Sequence, residues 1–156
     1  MARFRPPVRA RDDGTYTVDL GEAERGLVRS TATQLKDLLL DTDSPVLRRL
    51  FPPPYGDDTE RNEGWAVLAR PELIEHRVAS LDVVVDSTEA TTLTEDQVGA
   101  WMRSLNDVRL VLGTVLDITD DDTEIAVDEH NAATYQAYEL LGYLLEAVVA
   151  ARASRL

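Results

Sequence analysis

Hydrophobic positions recur at helical spacing through most of the chain after residue 20. The clearest run begins at Thr94, which forms a capping box with Gln97, while Leu93 and Val98 occupy the two positions of a hydrophobic staple. The apolar positions behind this start alternate spacings of three and four, and they predict a helix-packing seam. That seam consists of Val98, Trp101, Leu105, Val108, Leu112 and Val115.

Three further stretches share the helical period. One helix is expected from a capping box of Asp19 and Glu22 to about Asp41, and another opens at Pro71 and ends near Glu89. The last helix carries the stripe Tyr135, Tyr138, Leu141, Leu145 and Val148. Shorter helical segments are predicted after Ser44-Pro45 and over residues 58–68, with a proline-rich loop at residues 52–58 between them.

The N-terminus has a period of two instead. Apolar residues alternate with arginines up to the turn Asp12-Asp13-Gly14, and Tyr16 and Val18 continue the alternation after it. Pro6 and Pro7 cannot donate ladder hydrogen bonds, so the first strand is expected to lie at a sheet edge or to bend at the prolines. We therefore predict a mainly α fold in one domain over residues 1–156. Residues 1–19 form a basic β-hairpin, and residues 20–156 form a compact bundle of about four long helices plus short ones.

Two glycines lie inside the best predicted helices. Gly113 and Gly142 each cost about 1 kcal/mol relative to alanine at such positions. A close crossing of helices is the favoured interpretation, and a gap that faces a ligand is the alternative.

Composition narrows the classes of function. The chain has 29 acidic and 16 basic residues, a net charge of −13 and no cysteine. Such a surface repels nucleic acid and anionic membranes, so neither is expected as a partner. Without cysteine there is no disulfide, zinc–thiolate site or thiol nucleophile. No signal-peptide pattern or membrane-length apolar run is present, which favours a cytoplasmic protein.

No catalytic, cofactor-binding or metal-binding signature emerges. The phosphate-binding glycine loops and the nucleophile elbow are absent, and neither His76 nor His130 follows a glutamate at the spacing of a di-iron helix. An EF-hand starting at Asp120 would need a glycine at Ile125 and a glutamate at Asn131. The alternative hypothesis is a small enzyme or cation-binding bundle, which would use Glu72, Glu75, His76 and the acids near Asp120.

The first predicted strand is the one predicted element in which charges of a single sign are concentrated. Residues 1–11 hold four arginines and no acid, namely Arg3, Arg5, Arg9 and Arg11. These side chains can neutralise acids of their own bundle, contact an acidic partner protein, or bind a phosphate. Internal pairing is favoured, partner contact comes second and nucleic acid last, because nucleic-acid modules also place charge on a helix or an aromatic platform.

Several features recur together in a known order: the arginine-rich opening with Phe4, a first helix from Leu20 to Leu39, the segment Leu50-Phe51-Pro52-Pro53-Pro54-Tyr55 with Asp57-Asp58, and the helix from Leu93-Thr94 to Leu116. In this order the chain resembles an uncharacterised actinobacterial family, a domain of unknown function that includes an oxidative-stress regulator of mycobacteria. The resemblance implies a cytosolic, non-enzymatic regulator that works through protein contacts, including contact with an alternative sigma factor. It also implies that redox sensing in the regulatory member uses a cysteine pair, which this chain lacks.

We therefore predict a regulatory or protein–protein interaction module without thiol redox sensing of its own. The arginines of the hairpin are its candidate partner-binding residues. A homodimer is left open, because Met102, Leu110, Val111 and Leu116 broaden the apolar surface of the best helix beyond one stripe.

Overall fold

The computed structural model describes residues 4–41, 44–118 and 127–155, and within them the chain is mainly helical. The helices are Glu22–Leu40 (α1), Thr59–Leu68 (α2), Arg70–Ser87 (α3), Glu95–Val115 (α4) and Ala132–Ala153 (α5), with a 3-10 turn at Pro45–Leu47. Three short strands, Val8–Ala10 (β1), Tyr16–Val18 (β2) and Thr92–Leu93 (β3), form an antiparallel sheet. The predicted mainly α fold with an N-terminal hairpin is confirmed.

The hairpin has the predicted turn and gains a third strand. Gly14 has φ +91°, a left-handed conformation that glycine adopts without strain, and the Asp13 carboxylate accepts from the Thr15 amide at 3.0 Å. The strand order is β1-β2-β3, so β1 lies at an edge, as its two prolines predicted. The sequence did not predict β3, because two residues are too few to show an alternating pattern.

Helix α1 begins two residues later than its predicted capping box. The amide of Asp19 donates to the carbonyl of Pro7 at 2.8 Å, which keeps the chain extended beside the hairpin. The N-cap is Gly21, whose amide donates to the Glu24 carboxylate at 3.3 Å. The predicted Asp19–Glu22 box is therefore wrong, because a hydrogen bond to another part of the chain holds Asp19 outside the helix.

Helix α4 is the centre of the bundle, with α1, α3 and α5 all packed against it. Its predicted N-terminus is confirmed: the amide of Gln97 donates to the Thr94 hydroxyl at 3.2 Å, and the amide of Thr94 donates to the Gln97 side chain at 2.8 Å. The staple residues Leu93 and Val98 are both fully buried. These local contacts fix the point at which the central helix starts.

The predicted seam of α4 is too narrow. Its first four positions are buried, but Leu112 is only half-buried and Val115 is exposed, while Val111 and Thr114 are buried in their place. A helix with neighbours on several sides buries more than one stripe, so a single seam could not describe it. In α5 the predicted Leu141 and Val148 are buried, and the full buried stripe is Ala137, Leu141, Leu144, Val148 and Ala151.

The two helical glycines make room for arginine side chains. A Cβ atom at Gly142 would lie 3.2 Å from Nε of Arg109, and one at Gly113 would lie 3.1 Å from Nη1 of Arg49. The nearest heavy atoms at both positions belong to side chains, and they include Tyr138 of α5 beside Gly113 and Arg109 of α4 beside Gly142. The guanidinium of Arg109 also lies 5.1 Å from the ring centre of Tyr138, which makes a cation–π contact between α4 and α5.

The two tryptophans lie in different environments. Trp101 on α4 is fully buried, and its indole nitrogen donates to the Ser87 hydroxyl at the end of α3, at 2.8 Å. Trp65 is only half-buried and belongs to α2, a helix without a fully buried residue. The central helix is thus tied firmly into the core, whereas α2 lies against its surface.

A buried arginine joins the sheet to the helices. The Arg25 side chain on α1 is almost completely enclosed and donates to four backbone carbonyls. The donor–acceptor distances are 3.0 Å to Leu20, 2.5 Å to Thr88, 2.8 Å to Ala90 and 3.4 Å to Val18. Because two of these carbonyls follow the C-terminus of α3, the guanidinium places a positive charge at the negative end of that helix.

Candidate interaction surfaces

The structure places the predicted arginines on the outer side of the hairpin. Arg5 is exposed; Arg9 donates to the carbonyl of Pro6 at 2.8 Å and lies 3.9 Å from the Asp19 carboxylate. Arg11 lies 3.7 Å from the carboxylate of Asp13. Arg3 lies outside the described residues. Both ion pairs form within the hairpin region rather than with acids of the helices, and pairs this exposed contribute little to stability.

Two arginines that the sequence analysis did not single out reach the same region, Arg152 in the last turn of α5 and Arg155 just after that helix. The Arg155 guanidinium donates to the carbonyls of Arg11 at 2.6 Å and Thr15 at 2.7 Å, and it lies 4.5 Å from the ring centre of Tyr16. Arg152 donates to the Glu95 carboxylate at 3.0 Å. Because Arg155 and Arg11 are 144 positions apart, no spacing along the sequence could have joined them.

Glu95 connects the hairpin to the first turn of α4. The Tyr16 hydroxyl donates to its carboxylate at 2.5 Å, and accepting this hydrogen bond lowers the pKa of Glu95. Burial raises the pKa of the Tyr16 phenol, and the neighbouring carboxylate raises it further. Tyr16 therefore stays protonated and acts as a hydrogen-bond donor here.

These groups surround an apolar hollow of about 560 Å³. Met102, Val149 and Ala153 supply its apolar lining, and its polar lining consists of Tyr16, Glu95, Arg152 and Arg155. We call the hollow together with Arg11, Arg152 and Arg155 the basic corner. It joins apolar surface to positive charge on a chain with a net charge of −13.

A second depression, the α3–α4 groove, has a volume of about 700 Å³. Leu73, Ala79, Val83 and Ala100 provide its apolar surface. Its polar lining includes the residues His76, Arg77, Ser80, Asp96, Arg103, Asn106 and Asp107. The groove is thus lined by one set of side chains from α3 and another from α4.

The charges of the α3–α4 groove are partly paired. Nη1 of Arg77 lies 2.5 Å from the carboxylate of Asp107, which is almost fully buried. Burial raises the pKa of Asp107, and the Arg77 ion pair offsets part of that effect. Arg103 crosses from α4 to α3 and donates to the Ser80 hydroxyl at 3.2 Å, while Asp96 is exposed on the same side of α4.

The described residues of the alternative metal-binding hypothesis form no group of three ligands. The His76 imidazole is 3.7 Å from the Glu72 carboxylate, and both side chains are about three-quarters exposed (75% and 77%). Within residues 4–41, 44–118 and 127–155, no three histidine, aspartate or glutamate side chains form a group that could hold a metal ion. Asp120 and its acidic neighbours up to residue 126 lie outside those ranges.

Among the described helices, none is long and apolar enough to cross a membrane.

Comparison with known proteins gives a consistent result. A family described as "Domain of unknown function (DUF2017)" matches residues 1–152. The oxidative stress regulator AosR of Mycobacterium tuberculosis strain H37Rv is 31% identical, with 91% of this chain and 84% of that protein covered. The putative oxidative stress regulator AosR of Mycobacterium leprae is 29% identical over 70% of this chain and 58% of its own length. No solved structure gives a significant match. This chain belongs to the DUF2017 family.

Proposed function

We propose that the protein is a non-enzymatic cytoplasmic regulator that acts by binding another protein at the basic corner. One observation carries the proposal: Arg155 contacts the hairpin and Arg152 contacts Glu95 around one apolar hollow, on a molecule with a net charge of −13. The similarity to proteins named oxidative stress regulators supports a regulatory role.

The chemistry of the corner indicates what kind of segment it binds. An apolar side chain of the partner fills the hollow over Met102 and Val149, and acidic residues beside it face the arginines. Apolar contact supplies most of the affinity, whereas complementary charges at the rim increase the association rate and the specificity. Arg5 and Arg9 add positive charge on the hairpin outside the basic corner.

The family resemblance favours an alternative sigma factor as the partner class. A chain without cysteine cannot receive a thiol signal, so in such a complex a thiol-based step lies on another component.

The test measures binding of the full chain to each purified sigma factor of the source organism by biolayer interferometry. The variant R11A/R152A removes two positive charges of the basic corner and should weaken one of these complexes about tenfold, mainly through a slower association rate, and added salt should shrink the difference. R48A/R61A removes the same charge from exposed positions on other elements and serves as the control. Equal binding by both double variants would contradict a role for the basic corner, and failure of every sigma factor to bind would contradict this partner class.

A further inference from the structure

We propose that Met102 is a reversible oxidation site, and that its sulfoxide changes the basic corner so that the partner binds there less tightly. The sequence has two methionines, Met1 and Met102, and no cysteine, so thioethers are the only sulfur groups of the chain. The effect on binding rests on the proposed function, whereas the chemistry of Met102 can be tested on this chain alone.

The position of the Met102 side chain carries the proposal. It belongs to α4, lines the apolar hollow of the basic corner and is half-buried, whereas the adjacent Trp101 is fully buried in the core. Its sulfur accepts a hydrogen bond from Nη1 of Arg152 at 3.4 Å. The hollow therefore gives a small oxidant a route from solvent to a thioether that lies beside a guanidinium.

Hydrogen peroxide, a two-electron oxidant, converts a thioether to a sulfoxide. A lone pair of the sulfur attacks one peroxide oxygen, the O–O bond breaks, and the second oxygen leaves as water, so the sulfur is oxidised and the peroxide is reduced. Methionine sulfoxide reductases reverse the step with two thiols, which form a disulfide while the sulfoxide oxygen leaves as water. The modification is thus reversible without any thiol on this chain.

The new oxygen changes the polar and the apolar lining of the basic corner together. A thioether is a weak hydrogen-bond acceptor, whereas a sulfoxide is polar, so the sulfoxide oxygen binds the Arg152 guanidinium more strongly than the sulfur does. Arg152 also donates to the Glu95 carboxylate at 3.0 Å, and the two acceptors then compete for it. The same oxygen enters the hollow of about 560 Å³, where an apolar side chain of the partner loses favourable contacts.

The first test uses the full chain without a partner. Hydrogen peroxide should add one oxygen to the Met102 peptide in mass spectrometry without loss of helicity in circular dichroism, because the hollow has room for an oxygen atom. The NMR signal of the Arg152 Nε–H group should move on oxidation and return after treatment with methionine sulfoxide reductases A and B and dithiothreitol. A Met102 that reacts only after unfolding, or an Arg152 signal that stays in place, would overturn the proposal.

The matched control is M102L/L68M, which moves the methionine to α2. Leucine keeps much of the side-chain volume at position 102, and Leu68 is 84% exposed, so both changes should leave the fold intact. Peroxide should oxidise this variant at position 68 and should not move its Arg152 signal. Because Met1 is present in both chains, its oxidation cannot account for a difference between them.

The second test measures binding to the sigma factor that the untreated chain binds, after catalase has removed the peroxide so that the sigma factor meets no oxidant. The oxidised wild type should bind at least tenfold more weakly, and reductase treatment should restore its affinity. Peroxide should leave the affinity of M102L/L68M at its own untreated value.

The two proposals fail in different ways. Undiminished binding by the fully oxidised wild type would contradict the assigned role of Met102. Failure of the untreated chain to bind every sigma factor would contradict the proposed function, and the first test would still decide whether Met102 is an oxidation site of the basic corner.

Discussion

Arginine side chains link the small sheet to the helices at both ends of β2. The two sets of contacts differ in how deeply the arginines are buried and in the groups that they contact. At one end Arg25 is enclosed and donates to backbone carbonyls of four residues. At the other end Arg155 and Arg152 are more exposed, and they contact two carbonyls, a tyrosine ring and a carboxylate. The enclosed arginine joins the sheet to the helices inside the core, whereas the other two keep part of their side chains in contact with solvent.

The largest effect should come from replacing the enclosed arginine. R25M keeps much of the side-chain volume but leaves buried carbonyls of Val18, Thr88 and Ala90 without this donor, which should lower the free energy of unfolding by about 3 kcal/mol. Urea denaturation followed by circular dichroism measures the change. R29M removes a neighbouring arginine whose bonds go to the Thr88 hydroxyl and Glu89, and it should lose far less. A loss from R25M no larger than that from R29M would contradict the assigned role of Arg25.

A smaller loss of stability is expected at the more exposed end of β2. Y16F removes the hydroxyl that donates to Glu95 while keeping the buried ring, and it should cost about 1 kcal/mol in urea denaturation. Tyr135 also bonds to a carboxylate, that of Glu139, but at the surface, so Y135F should leave stability unchanged. If Y16F unfolded at the same urea concentration as the wild type, the hydrogen bond would contribute nothing to holding the hairpin.

The pH dependence of this contact follows from the lowered pKa of Glu95. A carboxyl with a lowered pKa in the folded state stabilises the fold above its ordinary pKa, and this contribution disappears as the pH falls through the folded-state value. The stability difference between wild type and Y16F should therefore be constant near neutral pH and shrink below about pH 4.3. Urea denaturation across that range would contradict the assignment if the difference stayed the same at all pH values.

The smallest effect is expected for Arg155. R155A should change global stability by about 0.5 kcal/mol, because cation–π contacts and hydrogen bonds at exposed sites are weak. Its local effect should be clearer: amide hydrogen exchange at Arg11, whose amide donates to Thr15 within the turn, should become faster. R48A supplies the comparison at an exposed arginine far from the hairpin in sequence. If amide hydrogen exchange at the turn is unchanged in R155A, Arg155 does not help to hold the hairpin in place.

A contrast between local and long-range contacts explains which parts of the structure could be predicted from the sequence. The start of α4 was predicted to the residue, because Thr94 and Gln97 satisfy each other within one turn. The start of α1 was not, because the bond from Asp19 to Pro7 depends on how the hairpin folds. Arg25 left no signal, since a guanidinium satisfied by backbone carbonyls needs no complementary residue type anywhere in the sequence.

Only part of the proposed basic corner could be predicted from the sequence, for a related reason. An alternating basic strand is visible in the sequence, and Arg9 and Arg11 lie on the hairpin as expected. Arg152 lies at the end of a helix predicted from its apolar stripe alone and Arg155 follows that helix, and the packing of β1 against α5 brings them to this region. Charged residues that only tertiary contacts bring together leave no recognisable pattern in the sequence.

The contrast between Trp101 and Trp65 gives the protein two natural fluorescent reporters. The enclosed indole of Trp101 should emit at shorter wavelength and resist quenching by iodide, whereas the half-buried Trp65 should be quenched. Since α2 has no fully buried residue, its opening should change the Trp65 signal at denaturant concentrations where Trp101 still reports an intact core. One emission spectrum can therefore separate local opening at the surface from unfolding of the whole bundle.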